Sequence, residues 1–153
     1  MILISHRGNL KGKNPSRENS PDYIGDALVA GYNVEIDVWY EGGIWHLGHD
    51  EPQYQVNMSF LMNRMLWCHA KNIAALSRMR SLHPHVRYFW HQEDDVTLTS
   101  DRYLWTYPGK KLYPGSICVM PESTGITVDS PDLKSGNVLG VCSDYISRFD
   151  SLA

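Results

Sequence analysis

Short runs that are apolar at nearly every position recur along this chain: Ile2 to Ser5, Val34 to Val38, Leu66 to Ala70, Val86 to Trp90, Ile117 to Met120 and Val138 to Cys142. Each is too short for a helix. A strand with no polar face has both faces covered, the usual condition of parallel sheets flanked by helices, so the pattern predicts an α/β fold. Residues 19–31 place Ile24, Ala27, Leu28 and Ala30 on one helical side, with Gly31 where a C-terminal stop belongs. A second helix is predicted over Asn72 to Leu82, with Ile73, Leu76 and Met79 at helical spacing before Pro84. A short third helix is expected over Met58 to Met65, its strip of Met58, Met62 and Met65 reading as core packing. Beyond His91 the pattern changes. Val96, Leu98, Tyr103 and Trp105 alternate around a polar turn at Ser100 to Arg102, predicting a β-hairpin, and Glu122 to Ser135 reads as loop.

With 153 residues the chain suits one domain spanning 1–153. A net charge of -3 offers no basic face for nucleic acid. Cys68, Cys118 and Cys142 lie in apolar contexts without metal-binding spacing, so they read as buried free thiols. The opening MILISHRG is shorter than a secretory hydrophobic region, and no run reaches membrane-spanning length, so a cytoplasmic protein without a membrane span is expected.

Polar residues that can do chemistry gather where the runs end. The first ends in His6-Arg7, the second holds Glu35 and Asp37 at spacing two, the third holds His69 and Lys71 at spacing two, and the fourth leads into His91. Alternation along a strand sends Glu35 and Asp37 to one face, opposite Val34, Ile36 and Val38. Two carboxylates, an imidazole and an ammonium on one face of adjacent strands are costly to bury unless they pair or bind a cation. Both outcomes are open from these residues.

HRG at 6 to 8, Arg17-Glu18-Asn19, VEIDV at 34 to 38 and GHDE at 48 to 51 together resemble, in order and spacing, the signatures of the glycerophosphodiester phosphodiesterase family. That family belongs to a superfamily of phosphodiesterases on a TIM-type barrel that includes phosphatidylinositol-specific phospholipase C. The resemblance implies that His6 and His49 are catalytic, one as base or nucleophile assistant and the other as acid toward the leaving alkoxide. It implies that Glu35 and Asp37 hold a divalent metal, that Arg7 and Lys71 bind phosphate, and that Glu18 and Asn19 support the site close to the metal. At the position of a further acidic ligand this chain has His69. Family habit implies magnesium or calcium, whereas a histidine ligand shifts the expectation toward manganese or zinc. Water in the third position, with His69 ligating nothing, is the alternative.

Chemistry agrees with those roles, since cleaving an anionic diester needs charge neutralisation, a base and a protonated leaving group. Other polar residues carry open readings. His46 reads as a structural hairpin residue, and His83 and His85 beside Pro84 as solvated. His91 is either a supporting residue or a substrate contact. Trp105 and Tyr107 either line a pocket mouth or pack across a hairpin. Glu122 and Asp144 stand at strand ends, with pocket and structural readings both open.

Eight strand–helix units need roughly 200 residues or more. The resemblance therefore implies a reduced TIM-type (β/α) barrel lacking helices in its second half, whose bare outer surface is covered by dimerisation or by extended loops. The expected function is metal-dependent cleavage of a small glycerol- or sugar-type phosphodiester. The rival is a non-catalytic phosphodiester-binding module that has lost turnover.

Overall fold

The computed structural model describes residues 1–153 and is a mixed α/β structure built on one curled sheet. The first strand, β1 (Ile2–His6), leads through a loop to helix α1 (Pro21–Val29) and then to β2 (Asn33–Glu41). Ser20 caps α1 by accepting from Tyr23 N at 3.4 Å, Pro21 supplies a fixed first turn, and the chain leaves the helix through Gly31 at φ 93°. β2 outruns the predicted strand because it continues into an antiparallel meander with β3 (Ile44–Leu47) and β4 (Tyr54–Val56). Helix α2 (Met58–Leu61), strand β5 (Leu66–Ala70), helix α3 (Ile73–Ser81) and strand β6 (Tyr88–Phe89) complete the first part. Asn72 caps α3, its side-chain oxygen accepting from Ala75 N at 2.8 Å.

The second part contains β7 (Val96–Leu98), β8 (Leu104–Thr106), β9 (Ser116–Val119), a 3-10 turn at Pro121–Thr124, helix α4 (Pro131–Lys134), β10 (Val138–Ser143) and a 3-10 segment at Ile146–Leu152. The parallel strands run in the order β6-β5-β2-β1-β10-β9-β8, with β7 antiparallel on β8. No ladder joins the two ends of this arc. Ser100 N donates to Tyr88 O at 2.9 Å, so the β7–β8 turn lies against β6.

Curling gives the sheet two unlike faces. On the outer face Val34, Ile36 and Val38 of β2 and Leu66, Cys68 and Ala70 of β5 pack with Ile24 and Ala27 of α1 and Ala75 and Met79 of α3. Each fully buried isoleucine or valine there contributes about 1.5–3 kcal/mol relative to an exposed one. The inner face carries Ile4, Trp67, Phe89, Trp105, Ile117 and Cys142, drawn from β1, β5, β6, β8, β9 and β10. Gly140 lets the strands close this tightly, since a Cβ there would stand 2.7 Å from Ile2 O.

The predicted bare surface in the second half is covered by chain rather than left open. Leu133 of α4 and Ile146 and Phe149 of the C-terminal 3-10 segment pack with Leu3, Cys118, Val138 and Val141 on the outer face of β1, β9 and β10. Three expectations need correction. The strip of Met58, Met62 and Met65 is not core: α2 is a four-residue turn, and Met58 and Met62 are 43% and 39% exposed. The segment 122–135 is not all loop, since it closes with α4 and begins within a 3-10 turn. The strand predicted over Val86 to Trp90 is only two residues long. The hairpin around Ser100 to Arg102 forms as expected, with Arg102 at φ 68° in its turn. All three cysteines are free and buried, and burial pushes the Cys118 thiol up to about 12. No helix is long and apolar enough to cross a membrane.

Candidate functional site

The carboxyl ends of the parallel strands surround a cavity of about 380 Å³ lined by His6, Arg7, Glu35, His49, His69, Lys71, His91, Gln92, Trp105, Tyr107, Pro108, Val119 and Met120. Register explains the gathering. His6 pairs with Glu35 across β1 and β2, and Asp37 pairs with His69 across β2 and β5, so residues distant in sequence stand side by side on the inner face.

At the centre, Glu35, Asp37 and His69 each turn one potential ligand atom into a space where these atoms lie within 4.8 Å of one another. His69 Nδ1 is 3.3 Å from Asp37 Oδ1 and 3.7 Å from Glu35 Oε1. Glu35 and Asp37 are buried, and Glu35 Oε2 and Asp37 Oδ1 have no hydrogen-bond partner. Buried carboxylate oxygens without a hydrogen bond are costly, and a cation is what such a donor set accommodates. The residues therefore fit a divalent metal. Positive side chains complete the surroundings: Arg7 Nε lies 2.9 Å from Asp37 Oδ2, and Lys71 Nζ lies 3.6 Å from Asp37 Oδ1. Burial raises the Asp37 pKa, but His69, Arg7 and Lys71 outweigh it and hold the carboxyl below its usual range. Burial works to lower the His69 pKa, yet Asp37 and Glu35 beside it push the ring up to about 9 among protein charges alone.

Around this centre lies a layer that holds it in place. Asn19, at φ 62°, donates through Nδ2 to Asp37 Oδ2 and accepts from Asp37 N, both at 2.9 Å. Arg7 and Met120, at φ 55° and 49°, are further left-handed non-glycine residues, and both line the cavity. Backbone conformations of that kind persist where surrounding structure enforces them, and they gather at functional sites. Gly48, at φ 152°, is required for a different reason: a Cβ there would sit 2.0 Å from Glu51 O, within the turn that presents His49.

Glu18 joins the site through Arg7: its carboxylate lies 3.3 Å from Arg7 Nη1 and accepts from Asn9 Nδ2 at 2.8 Å, and it is not one of the three residues whose ligand atoms converge at the centre. His49 lines the cavity from the loop after β3, 43% exposed at its side chain, with Nδ1 2.7 Å from Asp50 Oδ1. His91 lines the cavity near Tyr107, with ring centroids 5.3 Å apart, and its carbonyl accepts from His69 Nε2 at 2.8 Å. Trp105 is buried, packed on Phe89 and Trp67, while Tyr107 stands exposed at the mouth. His83 and His85 are exposed, as expected for solvated residues.

One residue that the sequence left between two readings is tied directly to the site. Asp144, immediately after β10, accepts from His6 Nδ1 at 2.7 Å and from Asn9 Nδ2 at 2.8 Å. That bond commits the Nδ1 proton and leaves Nε2 of a neutral His6 with its lone pair, 3.8 Å from Glu35 Oε2. Burial lowers the His6 pKa, but the Asp144 bond and the Glu35 charge outweigh it, so the pKa is raised. Glu122, the other residue left open, accepts from Ser143 Oγ at 2.8 Å and from Asp144 N at 2.9 Å, which anchors the strand end carrying Asp144. The signal for both was their position at strand ends, but partners 138 and 22 residues apart are not visible in local spacing.

Comparison with protein-family models, with curated proteins and with solved structures finds no match for this chain.

Proposed function

We propose that this protein is a metal-dependent phosphodiesterase acting on a small glycerol- or sugar-type phosphodiester, built as a single reduced TIM-type barrel resembling the glycerophosphodiester phosphodiesterase family. The observation that carries the reading is the gathering of His6, His49, Arg7 and Lys71 in one cavity around buried carboxylate oxygens of Glu35 and Asp37 that lack a hydrogen bond. The order of parallel strands, the site at their carboxyl ends and the thinning of helices in the second half support the reduced barrel.

Glu35, Asp37 and His69 would hold the cation, which when bound supplies charge to polarise a phosphoryl oxygen. The remaining roles belong to the side chains. Arg7 and Lys71 bind and orient the anionic diester, and Asp37 in turn holds both cations in place. Neutral His6, with Nδ1–H directed to Asp144, accepts at Nε2 the proton of the attacking hydroxyl or water. His49, lining the same cavity from the loop after β3, delivers a proton to the departing alkoxide. Beneath them the inner layer of Ile4, Trp67, Phe89, Trp105, Ile117 and Cys142 excludes water from the floor. A cavity of about 380 Å³ matches a head-group-sized diester.

The test is hydrolysis of bis(p-nitrophenyl) phosphate and of glycerophosphodiesters by metal-stripped protein to which Mg, Ca, Mn or Zn is returned singly. Cleavage restored by a cation and lost in His6→Ala supports the reading. Binding of the diester without turnover under every cation would replace it with the non-catalytic binding module.

A further inference from the structure

His69 is built as a nitrogen ligand, and this has a consequence for which cation the site takes. Its Nε2 is 2.8 Å from the His91 carbonyl, which can only accept, so Nε2 carries a proton and it is Nδ1, free to lose its own proton to an incoming cation, that faces the carboxylates. Phe89 stacks on the ring at 5.0 Å and 9° between planes, preventing rotation away from that direction. The pairing of Asp37 with His69 in the β2–β5 ladder fixes the position from the backbone side.

The contact between His69 and Asp37 has the spacing of co-ligands, and Glu35 lies slightly farther off. His69 Nδ1 and Asp37 Oδ1 are 3.3 Å apart, yet Asp37 Oδ1 has no hydrogen-bond partner, and Glu35 Oε1 is 3.7 Å from the same nitrogen. Two ligands each bound at about 2.0–2.2 Å from one ion stand about 3 to 3.5 Å apart. Carboxylate oxygen alone suits magnesium, calcium and manganese, whereas imidazole suits zinc, copper, iron and nickel.

We infer that this is a mixed nitrogen–oxygen centre in which His69 Nδ1 is a ligand, so that the site selects zinc or a similarly imidazole-binding transition cation over magnesium and calcium. The inference rests on the metal-dependent reading above and narrows it. The second ring nitrogen makes it testable without measuring catalysis, because an Nδ1-ligated His69 keeps its Nε2–H protected by the His91 carbonyl.

Metal-stripped protein is loaded with Co2+ and its proton NMR spectrum recorded in H2O and D2O, and Zn2+, Mn2+ and Mg2+ affinities are measured by competition dialysis on wild type, His69→Asn and His69→Asp. Ligation by His69 gives a hyperfine-shifted ring N–H resonance that disappears in D2O and is missing from both variants. The Zn2+ affinity of His69→Asn falls about tenfold or more, with a change in Mg2+ affinity of about threefold or less. His69→Asp, which offers a third carboxylate, shifts preference toward Mg2+; the wild-type NMR result stands even if that variant does not fold. Cation binding with no exchangeable ring N–H, and the same Zn2+:Mg2+ preference in wild type and His69→Asn, would overturn the inference and leave the metal-dependent reading intact. Binding of none of these cations would remove both.

Discussion

Where β2 and β5 form the sheet, its outer face is covered by α1 and α3, each nine residues long and each capped by a side chain. Where β9 and β10 form it, the same face is covered by a four-residue α4, by Leu112 and by a terminal 3-10 segment. Both covers exclude water from comparable strands, but only the first does so with a repeating strand–helix unit. Covering a sheet thus requires apolar side chains at the right places and not any one secondary structure. The difference extends to the site. The first half supplies its charged wall, with His6, Arg7, Glu35, His49, His69 and Lys71, whereas the second supplies Trp105, Tyr107, Val119 and Met120 together with the buried Asp144 behind His6.

If the charged wall carries the chemistry, the largest effect belongs there: His6→Ala lowers phosphodiester turnover about a hundredfold to ten-thousandfold with an unchanged circular-dichroism spectrum. Retention of wild-type turnover would remove His6 from catalysis. Next, Asp37→Ala leaves Arg7 and Lys71 without their shared buried carboxylate and destabilises the fold by about 3–5 kcal/mol in urea unfolding with chelator present. A smaller loss sharpens the comparison of covers. Leu133→Ala in α4 and Ile24→Ala in α1 remove buried side chains from the two sides, and each costs about 2–4 kcal/mol by thermal unfolding if the short cover is as closely packed as the helical one. A value near zero for Leu133 would mean that α4 only rests on the sheet.

At the turn of the β7–β8 hairpin, Arg87 Nε donates to Asp101 Oδ2 at 2.8 Å. Burial works to raise the Asp101 pKa, but the Arg87 bond and charge outweigh it and lower it. A depressed folded-state pKa contributes stability present above the ordinary aspartate value and lost as pH falls through the folded value. Wild type therefore loses more stability than Asp101→Asn on acidification below about pH 4, and Asp101→Asn costs about 2 kcal/mol at neutral pH. Parallel acid curves for the two proteins would assign the bond no role. Smallest of all, Tyr107→Ala at the exposed mouth raises KM for a diester by about fivefold or less while leaving kcat within about twofold.

Much of the first half was legible in the chain itself. Strands from Ile2, Val34 and Leu66, helices from Pro21 and Ile73, and the inward side of Glu35 and Asp37 follow from local periodicity and caps. The second half was less so, because a hairpin and loop cover leave no long period to read; α4 and most of the 3-10 turn lie in the stretch from Glu122 whose composition reads as loop. Met58 and Met62 mark the opposite error, since helical spacing has no meaning in a four-residue helix. The partners of Glu18 and Asn19 were not legible: the backbone turn at Asn19 delivers its amide to Asp37 and turns Glu18 toward Arg7 and Asn9.

What the sequence by itself determined is the set of reactive side chains and the face each takes on its own strand, because alternation and helix capping depend on neighbours a few residues away. Only the tertiary structure decided that His6 is oriented by Asp144, that Glu122 anchors the strand end carrying Asp144, and that His69 is held through its Nε2 by the His91 carbonyl. Those arrangements depend on register between strands and on which chain ends meet when the sheet curls, and no local pattern encodes the distance at which two such side chains come to rest.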